Sequence, residues 1–245
     1  KLANVPCVGS DVLGSAIGMD KDVSKRLLRD AGIPVAGHIA LRKSDLSQDI
    51  LNEVEEKFGF PVYVKPANMG SSVGVVRVKH KQELLEAVEH AFQYDAKILI
   101  EEEIIGRELE CSVLGNDDPS ASAVGEIIGE ESFYSYEKKY IDEDGVKLQI
   151  PADLDSAIVQ KIQAISIAAF KALEVRGMAR VDMFLDARGC VYVNEINTIP
   201  GFTEISMYPK LWQASGLSAA ELINQLIDLA LSEHQQQSSL KLTGR

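Results

Sequence analysis

The sequence predicts an α+β fold in which two lobes each carry an antiparallel sheet. The chain has 245 residues, which is enough to bury more than one hydrophobic core. Segments with strand alternation and segments with helical periodicity follow in the order β, α, β, β, α, β, β and then β, α, β-hairpin. A break at Ile-Ile-Gly, residues 104–106, separates the two groups, so we place the boundary between the lobes there.

The elements of the first lobe are predicted from helix signals and from strand alternation. Small residues at 9–18 are typical of a connection, and Asp20 is placed to cap the helix that follows it. The predicted helices are 21–31, 44–58 and 82–92, the first two ending at glycines, and the predicted strands are 33–41, 61–66, 75–78 and 97–101.

The second lobe is predicted in the same way. Strands are expected at 108–114 and 123–128, a long helix at 155–173, a hairpin within 178–202, a last helix at 219–231 and a frayed tail at 235–245. Residues 130–145 are polar, aromatic and irregular, which is typical of a mobile loop.

The hairpin carries an unusual set of polar side chains. Alternation places Arg180 and Asp182 on one face of its first strand, and Glu195 and Asn197 on one face of its second strand. Carboxylate and amide oxygens suit Mg²⁺, which completes its shell with water and phosphate oxygens. The alternative is a solvated face with a surface ion pair. We favour the cation site because four polar groups converge in an otherwise apolar hairpin.

The pairing of the two hairpin strands depends on the turn between them. A two-residue loop at 187–188 would place Arg180 opposite Glu195, with Asp182 diagonal to it. A bulge at Gly189 would shift this pairing by one residue. We adopt the two-residue loop as the prediction.

Composition narrows the range of functions. The net charge of −12 argues against nucleic acid and against an anionic membrane as partners, since both favour basic surfaces. No apolar run approaches the roughly 18–20 residues of a membrane span. Three distant cysteines, Cys7, Cys111 and Cys190, indicate neither a disulfide framework nor a zinc site and fit a reducing cytoplasm. The chain starts without Met, and residues 2–9 are typical of the end of an earlier domain, so we expect a segment in front of them.

A glycine-rich loop at residues 68–74 follows the strand that ends near Lys65. Backbone N–H groups and serine hydroxyls in such a loop can bind an anion, although the same pattern also occurs in plain hairpin turns. A lysine at the end of an apolar strand is costly to bury unless an anion pairs with it, which favours the phosphate interpretation. Lys21 and Glu108, taken alone, indicate no more than exposed surface positions.

Six motifs occur together along the chain. They are Met-Asp-Lys at 19–21, the strand lysine before Gly-Ser-Ser-Val-Gly at 70–74, Leu-Ile-Glu-Glu at 99–102, Gly-Arg-Glu-Leu-Glu at 106–110, Arg-Val-Asp at 180–182 and Asn-Glu-Ile-Asn-Thr-Ile-Pro-Gly-Phe-Thr at 194–203. In combination these motifs resemble those of the ATP-grasp superfamily and, within it, those of the D-alanine–D-alanine ligase family. The resemblance extends from about residue 5 to residue 230.

The resemblance implies that two ATP-grasp lobes with antiparallel sheets grip ATP between them. The implied nucleotide contacts are Lys21 and Lys65 at the α- and β-phosphates, Ser71 and Ser72 in a loop that closes over the triphosphate, Glu101, Glu102 and Ile104 in the adenine hinge, and Glu108 at the ribose.

The resemblance also implies two Mg²⁺ ions, with Mn²⁺ as a substitute, held by Asp182, Glu195 and Asn197. Two ions can neutralise the transferred phosphoryl group and its acceptor together. In the family's reaction one D-alanine carboxylate attacks the γ-phosphate, and the amine of a second D-alanine attacks the resulting acyl phosphate. The remaining implied roles are charge stabilisation by Arg180 and the backbone N–H of Gly201, and binding of the second carboxylate by Ser206 and Met207, with a plain turn hydroxyl as the alternative for Ser206.

Residues 130–145 resemble the mobile lid of the family. Tyr134 and Lys139 would then contact the nucleotide, and Tyr140 would partner Ser71 of the glycine-rich loop. Such a lid excludes water from the acyl phosphate, which would otherwise hydrolyse. Tyr140 resembles the dipeptide-forming enzymes rather than the relatives that make D-alanyl-D-lactate. The alternative is a tyrosine-rich surface patch.

The resemblance divides the chain into a remnant of an amino-terminal substrate domain at 1–20, a central lobe at 21–105 and a carboxy-terminal lobe at 106–245. There are two departures from the family pattern. The family's amino-terminal domain supplies a glutamate that binds the first D-alanine, and nothing in this sequence matches it. If this chain is the whole protein, we expect nucleotide binding with little or no ligation. Glu102 stands where relatives often have a lysine, so its side-chain contact with adenine is in question.

The resemblance implies a cytoplasmic homodimer that makes D-alanyl-D-alanine for peptidoglycan precursors, with D-alanine and ATP as its small-molecule partners. One alternative is another carboxylate–amine ligase of the superfamily, which the amino-acid dependence of ADP release would reveal. Others are a non-catalytic nucleotide-binding module and a plain interaction domain. The intact metal ligands and Arg180 argue against the non-catalytic module, because a module without chemistry has no need of them.

Overall fold

The computed structural model describes residues 4–129 and 146–240. The strands are β1 (His38–Arg42), β2 (Val62–Pro66), β3 (Val76–Val78), β4 (Lys97–Glu102), β5 (Gly106–Gly115), β6 (Ser120–Gly129), β7 (Val146–Gln149), β8 (Gly177–Asp186) and β9 (Val191–Asn197). The helices are α1 (Val12–Met19), α2 (Lys21–Asp30), α3 (Gln48–Phe58), α4 (Lys81–Ala91), α5 (Ser156–Ala172), α6 (Met207–Ala214) and α7 (Ala219–Ser238), with a 3₁₀ turn at Lys43–Asp45. None of these helices is long and apolar enough to cross a membrane.

The strands form two antiparallel sheets, as the sequence predicts. The first sheet has the order β1-β4-β2-β3, and the second sheet has the order β7-β6-β5-β8-β9. The first sheet contains the strands that precede residue 105, and the second contains those that follow it.

The first sheet buries one face against α3 and α4. Val64 of β2 packs there with Val54 of α3 and Val88 of α4, and all three side chains are fully buried. Because side chains alternate along a strand, the opposite face of β2 presents Tyr63 and Lys65. The polar face of the first sheet is thereby directed away from its hydrophobic core.

The second sheet buries one face under α5. Leu109 of β5, Val181 of β8 and Phe170 of α5 belong to this core and are almost completely buried. A smaller cluster forms where Tyr208 of α6 and Leu222 of α7 pack near the end of β5. Each such side chain contributes about 1.5–3 kcal/mol through burial.

Most of residues 9–18 form a helix, so the predicted connection was wrong there. α1 begins after Asp11, whose carboxylate accepts a hydrogen bond from the Leu13 N–H at 2.8 Å. The small residues serve close packing instead, because a Cβ on Gly14 would lie 2.4 Å from the carbonyl oxygen of Glu174. Helix propensity does not reveal this effect, since it treats glycine as unfavourable without regard to neighbours.

α2 contacts both sheets. Asp20 caps the helix as predicted, and its carboxylate accepts a hydrogen bond from the Val23 N–H at 3.1 Å. Leu28 packs in the core of the second sheet. The polar side of the helix faces the first sheet, where Lys97 of β4 lies 3.1 Å from Asp22.

The strand predicted at residues 33–41 is divided between the two sheets. The carbonyl of Pro34 accepts a hydrogen bond from the Val193 N–H of β9 at 2.9 Å, and Val35 forms an isolated parallel bridge with the same residue. The chain then crosses to the first sheet, where β1 pairs with β4. Alternation could not show this crossing because both halves are extended.

Other element boundaries also differ from the predicted ones. The helix expected from residue 44 begins at Gln48, because Ser47 caps it by accepting from the Ile50 N–H at 3.3 Å. α7 begins at its predicted residue but continues to Ser238, so the first part of the predicted frayed tail is helical. β7 and α6 were not predicted.

The hairpin of β8 and β9 is present, but its predicted pairing was wrong. Arg180 lies opposite Asn197, and Asp182 lies opposite Glu195. The four polar residues still share one face, as predicted, so the error concerns which of them are direct neighbours.

The turn is one cause of the changed pairing. Gly189 has φ 78°, and the Asp186 N–H donates to the Cys190 carbonyl at 3.0 Å. The loop therefore has three residues and ends in a glycine bulge rather than having two residues.

The predicted mobile loop at 130–145 lies outside the described residues. Tyr134, Lys139 and Tyr140 belong to it, so their proposed contacts stay predictions. The division into domains at residues 20 and 105 also stays a prediction.

Candidate active site

A bulge at Asn194 creates the polar face of the β8–β9 hairpin. Between the pair Met183–Val193 and the pair Asp182–Glu195, β9 contains one residue more than β8. Without this extra residue, alternation from the buried Val193 would direct Glu195 into the core. The bulge instead places Glu195 on the same face as Asp182.

Arg180 is at the centre of the ion pairs on this face. Its Nε and Nη2 each lie 2.7 Å from one oxygen of Asp182, and its Nε lies 3.0 Å from Glu110 of β5. The amide nitrogen of Asn197 donates to Asp182 at 3.0 Å. Burial alone would lower the pKa of Arg180, but the charges of Asp182 and Glu110 outweigh burial and raise it. The guanidinium therefore stays charged in a fixed orientation.

Glu110 was not among the predicted site residues. It lies directly opposite Asp182 on the neighbouring strand, and it is buried. The alternation of β5 from Glu108 to Glu110 is the signal that could have found it.

Two lysines, one at the start of α2 and one on β2 of the first sheet, contact the β8–β9 hairpin of the second sheet. The Nζ of Lys21, at the start of α2, donates to the carbonyl of Met69 at 2.7 Å and lies 3.4 Å from Glu195. The Nζ of Lys65, on β2, lies 3.4 Å from Oδ1 of Asn194. Of the two predicted phosphate ligands, Lys21 thus meets the predicted metal ligand Glu195, and Lys65 meets the adjacent residue Asn194.

A buried carboxylate lies beside Lys65. Glu101 of β4 is 2% exposed; its Oε2 is 2.5 Å from the Nζ of Lys65, and its Oε1 is 3.4 Å from the Nζ of Lys25. Burial alone would raise the pKa of Glu101, but the two ammonium groups lower it. Burial lowers the pKa of Lys25 to about 8 against the attraction of Glu101. Lys25 was missed, although its spacing of four residues from Lys21 on one helix face pointed to it.

The glycine-rich loop between β2 and β3 has an unusual backbone. Ser71 and Ser72 have φ values of 52° and 59°, and Gly74 follows at 71°. Positive φ is uncommon for serine and indicates strain that is characteristic of functional loops. A Cβ on Gly74 would lie 2.7 Å from the ring of Tyr94, whereas one on Gly70 would meet nothing within 4 Å. One end of the loop is thus packed, and the other faces open space.

The predicted adenine hinge is tied to its surroundings by two carboxylates. Glu102 accepts a hydrogen bond from the Gly37 N–H at 2.6 Å. Glu103 pairs with Arg77 of β3 through contacts of 2.6 and 3.0 Å and accepts from the Tyr63 hydroxyl at 3.2 Å. The hydrogen bond from Arg77 lowers the pKa of Glu103. Sequence reasoning missed Glu103 because its partners are distant in the chain.

The other two residues predicted around the nucleotide lie near the β4–β5 connection. Ile104 and Glu108 are both half-buried. Glu108 lies on β5 opposite Phe184 of β8, two residues from Glu110 on the same face.

The predicted substrate-binding residues lie together after β9. Ser206 is the N-cap of α6, and its Oγ is 3.1 Å from the backbone nitrogen and 2.8 Å from the hydroxyl of Thr203. A Cβ on Gly201 would lie 2.9 Å from the same Oγ. Met207 is buried at the first position of the helix. The N–H groups and dipole of a helix N-terminus favour a carboxylate at such a place.

The oxygen donors on the hairpin fit a hard cation. Asp182, Glu195 and Asn197 offer carboxylate and amide oxygens on adjacent strands. Across residues 4–129 and 146–240 there is no group of three or more His, Cys, Asp or Glu side chains that could hold a metal. A hard cation held by Asp182, Glu195 and Asn197 would need further oxygen ligands, and Mg²⁺ takes such ligands from water and phosphate.

The sequence is similar to that of one group of enzymes. A family model described as D-ala D-ala ligase C-terminus matches residues 27–228. A D-alanine–D-alanine ligase from Oceanobacillus iheyensis is 54% identical over 241 residues, which cover 98% of this chain and 66% of that protein. D-alanine–D-alanine ligase A from Escherichia coli is 54% identical over 243 residues, 99% of this chain and 67% of that protein. The chain thus spans 66% of the length of the first relative.

Solved structures have the same fold. A D-alanine–D-alanine ligase from Coxiella burnetii superimposes with a TM-score of 0.85 at 42% identity, covering 97% of this chain and 64% of that one. The VanG D-Ala:D-Ser ligase from Enterococcus faecalis superimposes with a TM-score of 0.86 at 38% identity, covering 94% of this chain and 66% of that chain. These neighbours confirm the predicted fold class.

Proposed function

The chain belongs to the D-alanine–D-alanine ligase family, and on this premise we propose that it performs the ATP-dependent ligation of two D-alanines to D-alanyl-D-alanine. The proposal depends above all on the contact of Lys21 and Lys65 with the polar face of the β8–β9 hairpin. The contact of Lys21 with Glu195 brings a proposed phosphate-binding cation to a proposed Mg²⁺ ligand, and Lys65 reaches Asn194, the residue next to that ligand.

The proposed reaction has two steps. The carboxylate of the first D-alanine attacks the γ-phosphate of ATP, the bond to the β-phosphate oxygen breaks, and ADP leaves an acyl phosphate behind. The amine of the second D-alanine then attacks the acyl carbon, and phosphate leaves from a tetrahedral intermediate. Both steps depend on holding charged reactants in place, so orientation and fixed charges are the contributions we assign to the chain.

Lys21 and Lys65 hold the α- and β-phosphates of ATP in this proposal. Each ammonium is close to a hairpin oxygen, which keeps the cation near the place where phosphate would lie. Ser71 and Ser72 belong to the loop that covers the triphosphate, and their strained backbone favours the loop role.

Asp182, Glu195 and Asn197 are the proposed ligands of two Mg²⁺ ions, with Mn²⁺ as a substitute. When bound, the ions neutralise negative charge on the transferred phosphoryl group and on its acceptor. Arg180 pairs with Asp182, and Lys21 lies 3.4 Å from Glu195, so each of these two carboxylates has a cation beside it.

Arg180 and the backbone N–H of Gly201 are the proposed donors to the acyl oxygen. Negative charge builds on the acyl oxygen in the transition state, and a donor already aimed at this oxygen lowers the barrier by about 3–4 kcal/mol. The bidentate contact with Asp182 orients the guanidinium without a cost at the moment of reaction. Ser206 and Met207 bind the carboxylate of the second D-alanine at the start of α6.

The adenine is proposed to lie at Glu101, Glu102 and Ile104, with the ribose at Glu108. The Glu102 carboxylate already accepts a hydrogen bond from the Gly37 N–H. We therefore assign Glu102 a contact with the base through its backbone rather than its side chain. Tyr134, Lys139 and Tyr140 complete the proposal as a lid that excludes water. A homodimer and a cytoplasmic location are further parts of the proposal that derive from the family alone.

A second candidate is ligation with a different second substrate. The similarity to a D-Ala:D-Ser ligase, with its TM-score of 0.86, favours D-serine as the substrate to test. The N-cap position of Ser206 next to Met207 suits the carboxylate of either amino acid.

The test separates nucleotide binding from ligation. With the full-length protein, ATP binding is measured by calorimetry, and ADP release is then followed with Mg²⁺-ATP in the presence of D-alanine, D-serine, D-lactate or L-alanine. We expect D-alanine to stimulate ADP release and to give the dipeptide. ATP binding without stimulation by any of these acceptors would contradict the ligase proposal and support a non-catalytic module.

The variant Asp182→Asn tests the proposed metal-ligand role of Asp182. We expect it to reduce ADP release about a hundredfold or more, because one oxygen ligand loses its charge. Asp118→Asn removes the same charge from an exposed turn between β5 and β6 and should leave the rate unchanged. Equal rates for both variants would refute the metal-ligand role.

A further inference from the structure

Lys25 takes no part in the proposed reaction, yet its ammonium is buried beside the site. We infer that Lys25 is a positioning residue for nucleotide binding: it shares the Glu101 carboxylate with Lys65 and so leaves the Lys65 ammonium able to contact a phosphate. The inference rests on the proposed function, because it requires a nucleotide near Lys65.

The geometry shows a carboxylate between two cations. Lys25 is 1% exposed and Glu101 is 2% exposed. One oxygen of Glu101 is 2.5 Å from Lys65, and the other is 3.4 Å from Lys25. Neither the Nζ of Lys25 nor this second oxygen has a well-oriented hydrogen bond within the part of the chain that the structure describes. Lys25 thus acts on Glu101 mainly through charge.

A purely structural role does not explain this arrangement. An ion buried in a protein loses several kcal/mol of hydration, and apolar residues of similar size often replace buried ion pairs without loss of stability. Glu101 could be neutralised by Lys65 alone, since their contact is the shorter one. Lys25 adds a second positive charge, which leaves the three groups with a net charge of +1. An excess of positive charge suits a place where a polyphosphate binds.

The second cation changes what Lys65 can do. With one lysine, Glu101 and Lys65 would form an isolated buried pair, and moving Lys65 to a phosphate would leave the carboxylate without a counter-charge. With Lys25 present, Glu101 keeps a cation when Lys65 turns away. The Nζ of Lys65 lies 2.5 Å from Glu101 and also 3.4 Å from Oδ1 of Asn194, so it already contacts the hairpin while it pairs with the carboxylate.

The test is a double-mutant cycle on ADP affinity, measured by calorimetry without any turnover. We expect Lys25→Met to weaken ADP binding about tenfold, and we expect the Lys25→Met, Lys65→Met double variant to bind ADP no more weakly than Lys65→Met alone. Lys97→Met is the matched control, because Lys97 pairs with Asp22 of the same helix and with Asp20, the N-cap of that helix, and it has no ion pair with Glu101. It should change ADP affinity less than twofold.

Two results would overturn the inference. One is unchanged ADP affinity in a folded Lys25→Met protein, and the other is an additive loss in the double variant, which would mean that Lys25 does not act through Lys65. Lys25→Gln replaces Lys25→Met in both measurements if the latter fails to fold. Failure of the parent protein to bind ADP would instead refute the proposed function, so the two failures are distinguishable.

Discussion

Replacing Lys25 with methionine should make the protein more stable, although the same change should weaken nucleotide binding. Methionine has nearly the length and volume of the lysine stem, and it carries no charge. Lys25 is 1% exposed, so its ammonium has lost almost all contact with water. Glu101 keeps its shorter contact with Lys65 in the variant, so the change does not leave a buried carboxylate without a cation.

The pKa of Lys25 sets the magnitude of the effect. Burial lowers this pKa from 10.5 to about 8, even though Glu101 acts in the opposite direction. One pKa unit corresponds to about 1.4 kcal/mol, so charging Lys25 costs the folded state on the order of 3 kcal/mol. Lys25→Met should raise the free energy of unfolding by up to about this amount at pH 7.

The effect should depend on pH in a defined direction. Because the pKa of Lys25 falls on folding, the native state loses this proton first. Between pH 8 and pH 10.5 the unfolded chain holds the extra proton, so the parent gains stability relative to the variant as pH rises. The advantage of Lys25→Met should therefore be largest below pH 8 and should vanish near pH 10.5.

The assay is urea unfolding of the parent, Lys25→Met and Lys97→Met at pH 7 and pH 10. Lys97→Met loses ion pairs with Asp20 and Asp22, so we expect it to be no more stable than the parent at either pH. A Lys25→Met protein that is less stable than the parent by about 1 kcal/mol or more at pH 7 would refute the reasoning, since the attraction of Glu101 would then exceed the burial penalty.

Three further predictions concern packing and the hinge, each measured by urea unfolding. Gly14→Ala should destabilise the protein by about 1–3 kcal/mol, because the new Cβ would lie 2.4 Å from the carbonyl oxygen of Glu174. Leu109→Ala should cost about 2–5 kcal/mol because Leu109 is 1% exposed, whereas Leu85→Ala, at a position 44% exposed, should cost far less. Glu103→Gln should cost about 1 kcal/mol at pH 7 through loss of its bidentate pair with the arginine of β3. Since the pKa of Glu103 is lowered on folding, this cost should shrink as pH falls below the ordinary value of 4.5.

Different outcomes would contradict each of these predictions. If Gly14→Ala left the free energy of unfolding unchanged, α1 would be able to move away from the Glu174 carbonyl. Equal costs at Leu109 and Leu85 would contradict the assigned core of the second sheet. A cost of Glu103→Gln that grows toward low pH would contradict the direction of its pKa change.

Local features of the fold could be predicted because their signals lie within a few residues. Asp20 caps α2 at the expected place because a cap depends on its own carboxylate and on the N–H groups of the next turn. The strand that contains Val64 was visible from alternation for the same reason. The polar residues of the hairpin, among them Asp182 and Glu195, stood out because they interrupt an apolar pattern.

The precise neighbours within the candidate site could not be predicted in this way. The sequence showed Lys25 as one of two lysines on a polar helix, and its burial against Glu101 depends on β4, a strand that is distant from it in the chain. The pairing of Arg180 with Asn197 depends on an extra residue, Asn194, which no local pattern distinguishes from its neighbours.

The sequence by itself thus indicated which residues are candidates for the chemistry and which local elements hold them. The tertiary structure decided which of these residues meet. The physical reason is that alternation, capping and turn preferences act between residues close in the chain. Strand register, the division of residues 33–42 between two sheets and the burial of Lys25 depend on contacts between distant segments, whose free energies appear only once both sheets have formed.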